Sequence, residues 1–172
     1  MSQQFWQTLA LGSLAGMRSM SAPAALSHGL QKNRSAALGS SLLRFMQSPT
    51  AATTLKVAAG AEMIGDKLPG MPDRTAPAIL GGRILSGALV GATAYKAKGA
   101  NAAVGAALGG VMAVAATFGA LFLRKSLDKA TGFPDVVWGL AEDGLVLTSS
   151  RAIAKDVRGK KKKTAKAKKI KY

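Results

Sequence analysis

Apolar residues in this chain gather into long unbroken runs separated by short polar or charged punctuation. The longest, Gly99–Leu123, passes 25 positions without a charged side chain, and only Asn101 and Thr117 interrupt its Ala, Gly, Val, Leu, Met and Phe. As a helix such a run measures roughly 35–40 Å, more than the apolar core of a bilayer, about 30 Å. A soluble helix of that length needs a polar face, and this one has none. Four further runs are Phe5–Leu26, Thr50–Gly65, Ala76–Tyr95 and Pro134–Ile153. Thr50–Gly65 is short and carries Lys56 and Glu62, so it spans only where the bilayer thins or protein surrounds it. Ser35–Met46 is apolar but only about 12 residues long, which suits a re-entrant or interfacial helix. The pattern predicts an all-α integral membrane bundle of five spans plus one short re-entrant or interfacial helix. If that helix crosses fully, there are six spans, arranged as a 3+3 inverted repeat.

Local signals place the boundaries. Asn33 can cap the short helix, Ser48-Pro49-Thr50 opens the next, and Thr75 precedes Ala76-Pro77 as an N-cap before a first-turn proline. Gly132 breaks the chain before Phe133-Pro134, and Asp135 suits the first turn of the last helix. Trp6, Tyr95, Phe133 and Trp138 fall near helix ends, where an aromatic belt lies. Pro23, following Arg18 and flanked by Ser19 and Ser21, marks a break in the first run that would present polar backbone at depth. Gly12 and Gly16, Gly87 and Gly91, and Gly105 and Gly109 are each spaced four apart, so helices of one chain can approach closely there. Gly16-Met17-Arg18-Ser19-Met20-Ser21 and Gly81-Gly82-Arg83-Ile84-Leu85-Ser86 share Gly-x-Arg-x-x-Ser. Each opens a half that later reaches an Ala-Glu pair, Ala61-Glu62 or Ala141-Glu142, and this is the basis of the repeat reading.

Charge changes the picture at the C-terminus. The 172 residues carry a net charge of +16, and 11 of the 24 Lys and Arg lie in residues 151–172. We divide the chain into a transmembrane bundle, 1–154, and a disordered polybasic tail, 155–172, which cannot build a core. The tail lysines Lys160, Lys161, Lys162, Lys163, Lys166, Lys168 and Lys169 are expected to adhere to anionic lipid and to hold the C-terminus in the cytoplasm, with the bundle in the cell (plasma) membrane. Nucleic-acid contact by the tail would be nonspecific and is not the favoured reading; a homo-oligomer stays open. The first 17 residues hold no Lys or Arg, so Phe5–Leu26 reads as a retained segment and not as a secretory signal. The chain has no Cys and a single His, His28, which removes disulfides, thiolate sites and histidine metal clusters. We expect no metal, no cofactor and no catalytic residues.

The residues with chemical potential are the charges inside apolar runs: the cations Arg18, Lys56 and Arg83 and the anions Glu62, Glu142 and Asp143. Each costs about 2.5–3.5 kcal/mol at a helix centre on insertion scales, so they must pair, face the interior or line water. Arg18 and Arg83 are expected to meet Glu62 and Glu142–Asp143, while Lys56 can also snorkel. Glu62 and Asp66, spaced i,i+4, share a face beside Lys67, and Pro69 and Pro72 stiffen the exit. The candidate ion or solute pathway is therefore Arg18, Glu62, Asp66, Lys67, Arg83, Glu142 and Asp143. The same residues read equally as ion pairs that fix helix register.

Gly16-x-Arg18-Ser19, Glu62 followed by Asp66-Lys67-Leu68-Pro69, Arg83 with Gly87, and Glu142-Asp143 together resemble a family of small multi-pass membrane proteins of unknown function, the four-one-two-six domain-of-unknown-function family. The resemblance covers roughly residues 5–153. It implies an integral membrane protein and carries over no catalytic residues. Two functions follow as expectations: a transporter or channel for an ion or small polar solute, or a structural or adaptor membrane protein with architectural ion pairs and a lipid- or partner-binding tail. No motif points to an enzyme.

Overall fold

The computed structural model describes residues 3–65, 76–131 and 135–169; the side chains of 128, 131, 135, 136 and 158–169 are outside the description. Every regular element among the described residues is a helix, without a strand: α1 Gln3–Met17, α2 Ser21–Lys32, two 3-10 segments at Ala36–Leu38 and Leu42–Gln47, α3 Pro49–Gly65, α4 Pro77–Lys96, α5 Ala102–Thr131 and α6 Asp135–Lys169.

The centre of the bundle is built on glycine. Helices α4 and α5 run antiparallel from a tight turn in which Gly99 adopts φ 76°, a conformation that disfavours residues with a Cβ. Gly91 lies against the main chain of Gly105, and Gly87 against that of Gly109, so a methyl group at any of the four would strike a carbonyl. Helix α1 seats in the same seam. Gly12 faces Gly109 and Met112, and Gly16 faces the Ala113 carbonyl and Ala116. The small-residue pairs thus pack within one chain, and backbone proximity gives dispersion contact that bulkier residues would prevent.

The apolar run Phe5–Leu26 does not form one helix. It ends at Met17 and restarts at Ser21. Pro23 supplies the reason: it has no N–H for the Ser19 carbonyl, and its ring crowds that carbonyl in a continuous helix. The two pieces then turn back on each other. Gln3, Trp6 and Gln7 at the start of α1 share a groove with Ile153 and Asp156. At the end of α2, Asn33 Nδ2 donates to the Val157 carbonyl at 2.8 Å, and the Ser35 hydroxyl donates to the Ala97 carbonyl just past α4. The N-terminus, the end of α2, the end of α4 and residue 157 of α6 therefore occupy one end of the bundle, called here the tail end. With 15 and 12 residues, α1 and α2 reach about 22 Å and 18 Å into the bundle and out again. Helix α3 packs along α2, with Lys56 beside His28 and Glu62 beside Ser19 and Met20. It leads away from the tail end.

Other boundaries shift for local reasons. Ser35–Met46 forms the two 3-10 segments in place of one helix, because Leu38 and Met46 both bury while Gly39, Ser40 and Ser41 bend the chain between them. Asn33 ends α2 and caps no helix start. Ala76 holds the N-cap position of α4 with Pro77 in its first turn; Thr75 and Phe133 lie outside the described residues. Tyr95 is buried, with its Cβ close against Gly105, so it is not part of a lipid-facing belt. Trp6 is exposed. Helix α5 continues past Leu123 to Thr131, since charged helix formers such as Arg124 and Lys125 end apolarity without ending the helix. Helix α6 likewise continues through the basic stretch, where composition predicts disorder, as far as Lys169. Lys and Ala both favour helix.

Overpacking the glycine seam should cost roughly 1–3 kcal/mol or more. Gly91→Val and Gly109→Val should each lower the melting temperature of the purified protein. Gly81→Ala, which meets no neighbour within 4 Å, should leave it unchanged or slightly raised. Equal tolerance at all three positions would show that the helices do not approach through these glycines.

Candidate functional site

A helix that stops inside an apolar bundle leaves main-chain donors and acceptors with no water to bond, and each such group costs several kcal/mol if left bare. At the break Arg18–Met20, four main-chain groups without helical partners are met by side chains from other helices. The N–H groups of Ser19 and Met20 donate to the two oxygens of the Glu62 carboxylate, each at 2.8 Å. The Gly16 carbonyl accepts from Arg83 Nη1 at 2.7 Å and from the Thr117 hydroxyl at 2.9 Å. The Ser19 carbonyl, orphaned by Pro23, accepts from the Ser86 hydroxyl. Glu62 thus caps the start of α2, where a negative charge also suits the helix dipole. Arg83, Thr117 and Ser86 close the other side.

Arg18 sits at the turn itself and is 2% exposed. Its Nη2 donates to Asp143 Oδ1 on α6 at 2.5 Å. Arg83 is equally buried on α4. Arg18 of the break so forms a cluster of balanced formal charge with Glu62 of α3, Arg83 of α4 and Asp143 of α6, beside Thr117 of α5. Side chains from four helices converge on the break. Arg83 Nη1 meets a main-chain carbonyl, because it faces the end of α1. Arg18 meets the Asp143 carboxylate, and Glu142, one residue nearer the far end of α6, pairs with Arg124 at 3.9 Å. Lys56 is exposed and meets His28 Nδ1 at 2.8 Å, outside the cluster. Asp66 and Lys67, and the side chains of the tail lysines Lys160–Lys169, lie outside the described residues.

Sequence reasoning did not select Ser86 or Thr117 as ligands of the break. Signals for both exist. Thr117 is one of two polar residues in the longest apolar run, and a proline at position 23 makes the carbonyl at position 19 an acceptor in need of a donor. The two Gly-x-Arg-x-x-Ser stretches do not fold alike: α4 runs straight through Gly81–Ser86, and its Arg and Ser hold the broken copy open.

The site and fold define an all-helical bundle organised around an interrupted helix. Over residues 6–154 the chain matches the family described as Domain of unknown function (DUF4126), and it belongs to that family. The match contains every residue of the cluster and ends where the basic tail begins. No curated protein and no solved structure matches the chain.

Removing one member of a buried pair leaves the other charge uncompensated, at about 3–5 kcal/mol. Asp143→Asn should therefore destabilise the protein strongly in thermal or chemical denaturation. Glu62→Gln turns an amide N–H₂ toward a main-chain N–H and should cost about 1–3 kcal/mol. Lys56→Met, at an exposed position, should be close to neutral. If all three behave alike, the cluster does not hold the break.

Proposed function

We propose that the chain is a multi-pass integral membrane protein in which α3–α6 cross the bilayer, α1 and α2 form a re-entrant hairpin, and the charged break at the hairpin tip is a pathway element for an ion or small polar solute. Helices α4 and α5 are long and apolar enough to cross, by length and composition. Only 22% of the apolar window of α5 is buried in the bundle, where the core helix of a soluble protein is mostly buried. The outward residues are apolar on four helices: Ile64 on α3, Leu85 on α4, Phe122 on α5 and Leu145 on α6 are all more than half exposed. Lipid is the solvent that suits such a surface.

Orientation follows from basic residues near helix ends. The tail end carries Lys32, Arg34, Arg44, Lys96 and Lys98 beside the polybasic C-terminus, and the far end has Arg124, Lys125 and Lys129. The tail end is thus assigned to the cytoplasm, at the cell membrane, and the N-terminus joins it there. Four crossings plus a hairpin replace the five crossings read from the apolar runs. Since the chain has no Cys, single substitutions report sidedness cleanly. Gln3→Cys and Lys98→Cys should label from the same side of a sealed vesicle, and Lys125→Cys from the opposite side. Labelling of Gln3→Cys with Lys125→Cys would restore an odd number of crossings.

The observation that carries the transport reading is the interrupted helix itself, since discontinuous helices place main-chain dipoles and paired charges where a solute can replace them. A second reading is favoured by the bonding at the break, where four main-chain groups already have side-chain partners; the cluster is then architectural and the tail contacts lipid or an acidic partner. One variant separates the two. Replacing a buried ion pair by apolar residues of similar size is often neutral for stability. Arg18→Met with Asp143→Leu should then keep the fold. In proteoliposomes, wild-type flux of protons, monovalent ions or small zwitterions that falls about tenfold or more in this folded double variant supports a pathway, since a barrier change of about 1.4 kcal/mol is tenfold in rate. Absent wild-type flux across that panel, or flux indifferent to the substitution, leaves the architectural reading.

A further inference from the structure

No acidic residue occurs before Glu62 in this chain, yet Arg18, Lys32, Arg34, Arg44 and Lys56 do. The segment that joins α2 to α3 therefore holds basic residues and no acidic one. It is not a loose loop. Leu38 and Met46 are fully buried, Gln47 is 6% exposed, and the Gln47 side-chain oxygen accepts from the Ser35 N–H at 2.5 Å. Between these anchors the two 3-10 segments curve into a bowl of about 1210 Å³. Arg34 and Arg44 stand on its wall with Ser40 and Ser41, and among the described residues no carboxylate lines it. Leu42, at 96% exposure, and Phe45, at 49%, complete the wall. A leucine held almost wholly in the open, beside a half-exposed phenylalanine, by a segment anchored through buried Leu38 and Met46 marks a place where something apolar is expected to lie.

We propose that this bowl is a binding site for the headgroup of an anionic phospholipid, with the phosphate on Arg34 and Arg44 and with Leu42 and Phe45 set into the acyl region. Guanidinium groups match phosphate oxygens in paired hydrogen bonds, and serine hydroxyls add donors. The bowl lies at the tail end, which the membrane reading places at the cytoplasmic leaflet, where anionic lipids concentrate. The inference rests on that reading. The neighbouring groove between α2, α4 and α6 also has Arg34 and Lys98 at its rim, but Asp156 stands among them. The bowl has the stronger preference for an anion.

Full-length protein in detergent is titrated with phosphatidylglycerol, with phosphatidylcholine of the same chains, and with inorganic phosphate, and retained lipid is read by native mass spectrometry. Wild type should hold one phosphatidylglycerol in preference to phosphatidylcholine. Arg34→Gln with Arg44→Gln should weaken it about tenfold or more, on the scale expected for two basic residues at a lipid surface. Both positions are exposed, and an unchanged melting temperature confirms the fold. Lys160→Gln with Lys161→Gln and Lys162→Gln should retain the tight lipid, which separates the bowl from the tail. Leu42→Ser with Phe45→Ser should weaken the lipid as well. Equal affinity for the two lipids, an unaltered affinity in the arginine variant, or displacement of the lipid by inorganic phosphate at equal concentration overturns the proposal. If the protein instead stays folded and dispersed without detergent, the membrane reading itself fails, an outcome distinct from those three.

Discussion

A proline without an N–H at position 23, inside an apolar run, obliges the rest of the bundle to supply hydrogen bonds. Once the Ser19 carbonyl has no helical donor, the backbone on either side of it opens, and four polar main-chain groups stand in a place that excludes water. Glu62, Arg83, Ser86 and Thr117 answer them one by one. Arg18, carried on the opened turn, brings in Asp143 from the last long helix. The positions of α3, α4, α5 and α6 around α1 follow from that set of bonds as much as from apolar packing. The charges in these helices are expensive singly, and they are tolerable because each one has a fixed partner.

The glycine seam solves a second problem. On the proposed membrane reading, burying apolar surface between helices gains little, so helices are held by close contact and by polar bonds. Gly87, Gly91, Gly105 and Gly109 bring α4 and α5 to main-chain contact, and Gly12 and Gly16 do the same for α1. The seam sets the depth at which Gly16 meets Thr117 and Arg83. Packing and polar bonding are in this way registered to each other.

Helix α4 was legible almost to the residue, because its apolar run, its first-turn proline and its terminal lysine agree. The apolar run that became α5 showed where the helix is apolar but not where it stops, since helix propensity continues past Leu123 into charged residues. That Arg18 meets an acid of the Glu142–Asp143 pair follows from counting charges that cannot be left alone. The bond from Arg83 to the Gly16 carbonyl could not be placed in the same way, because carbonyls look alike at every position of a sequence. The turning back of α2 was hidden for a related reason. A break can be read from Pro23, but the direction taken afterwards depends on contacts with Val157 and Ala97, which lie far along the chain.

Arg18 and Asp143 are 125 residues apart. The ribosome delivers the hairpin first and Asp143 late, so the Arg18–Asp143 bond must wait until most of the polypeptide has emerged. The neighbours α4 and α5, close in sequence and joined by a tight turn, can associate as soon as both exist. Biogenesis should consequently run against chain order, with the hairpin docking late into a cradle already assembled, and truncation anywhere before α6 should strand it.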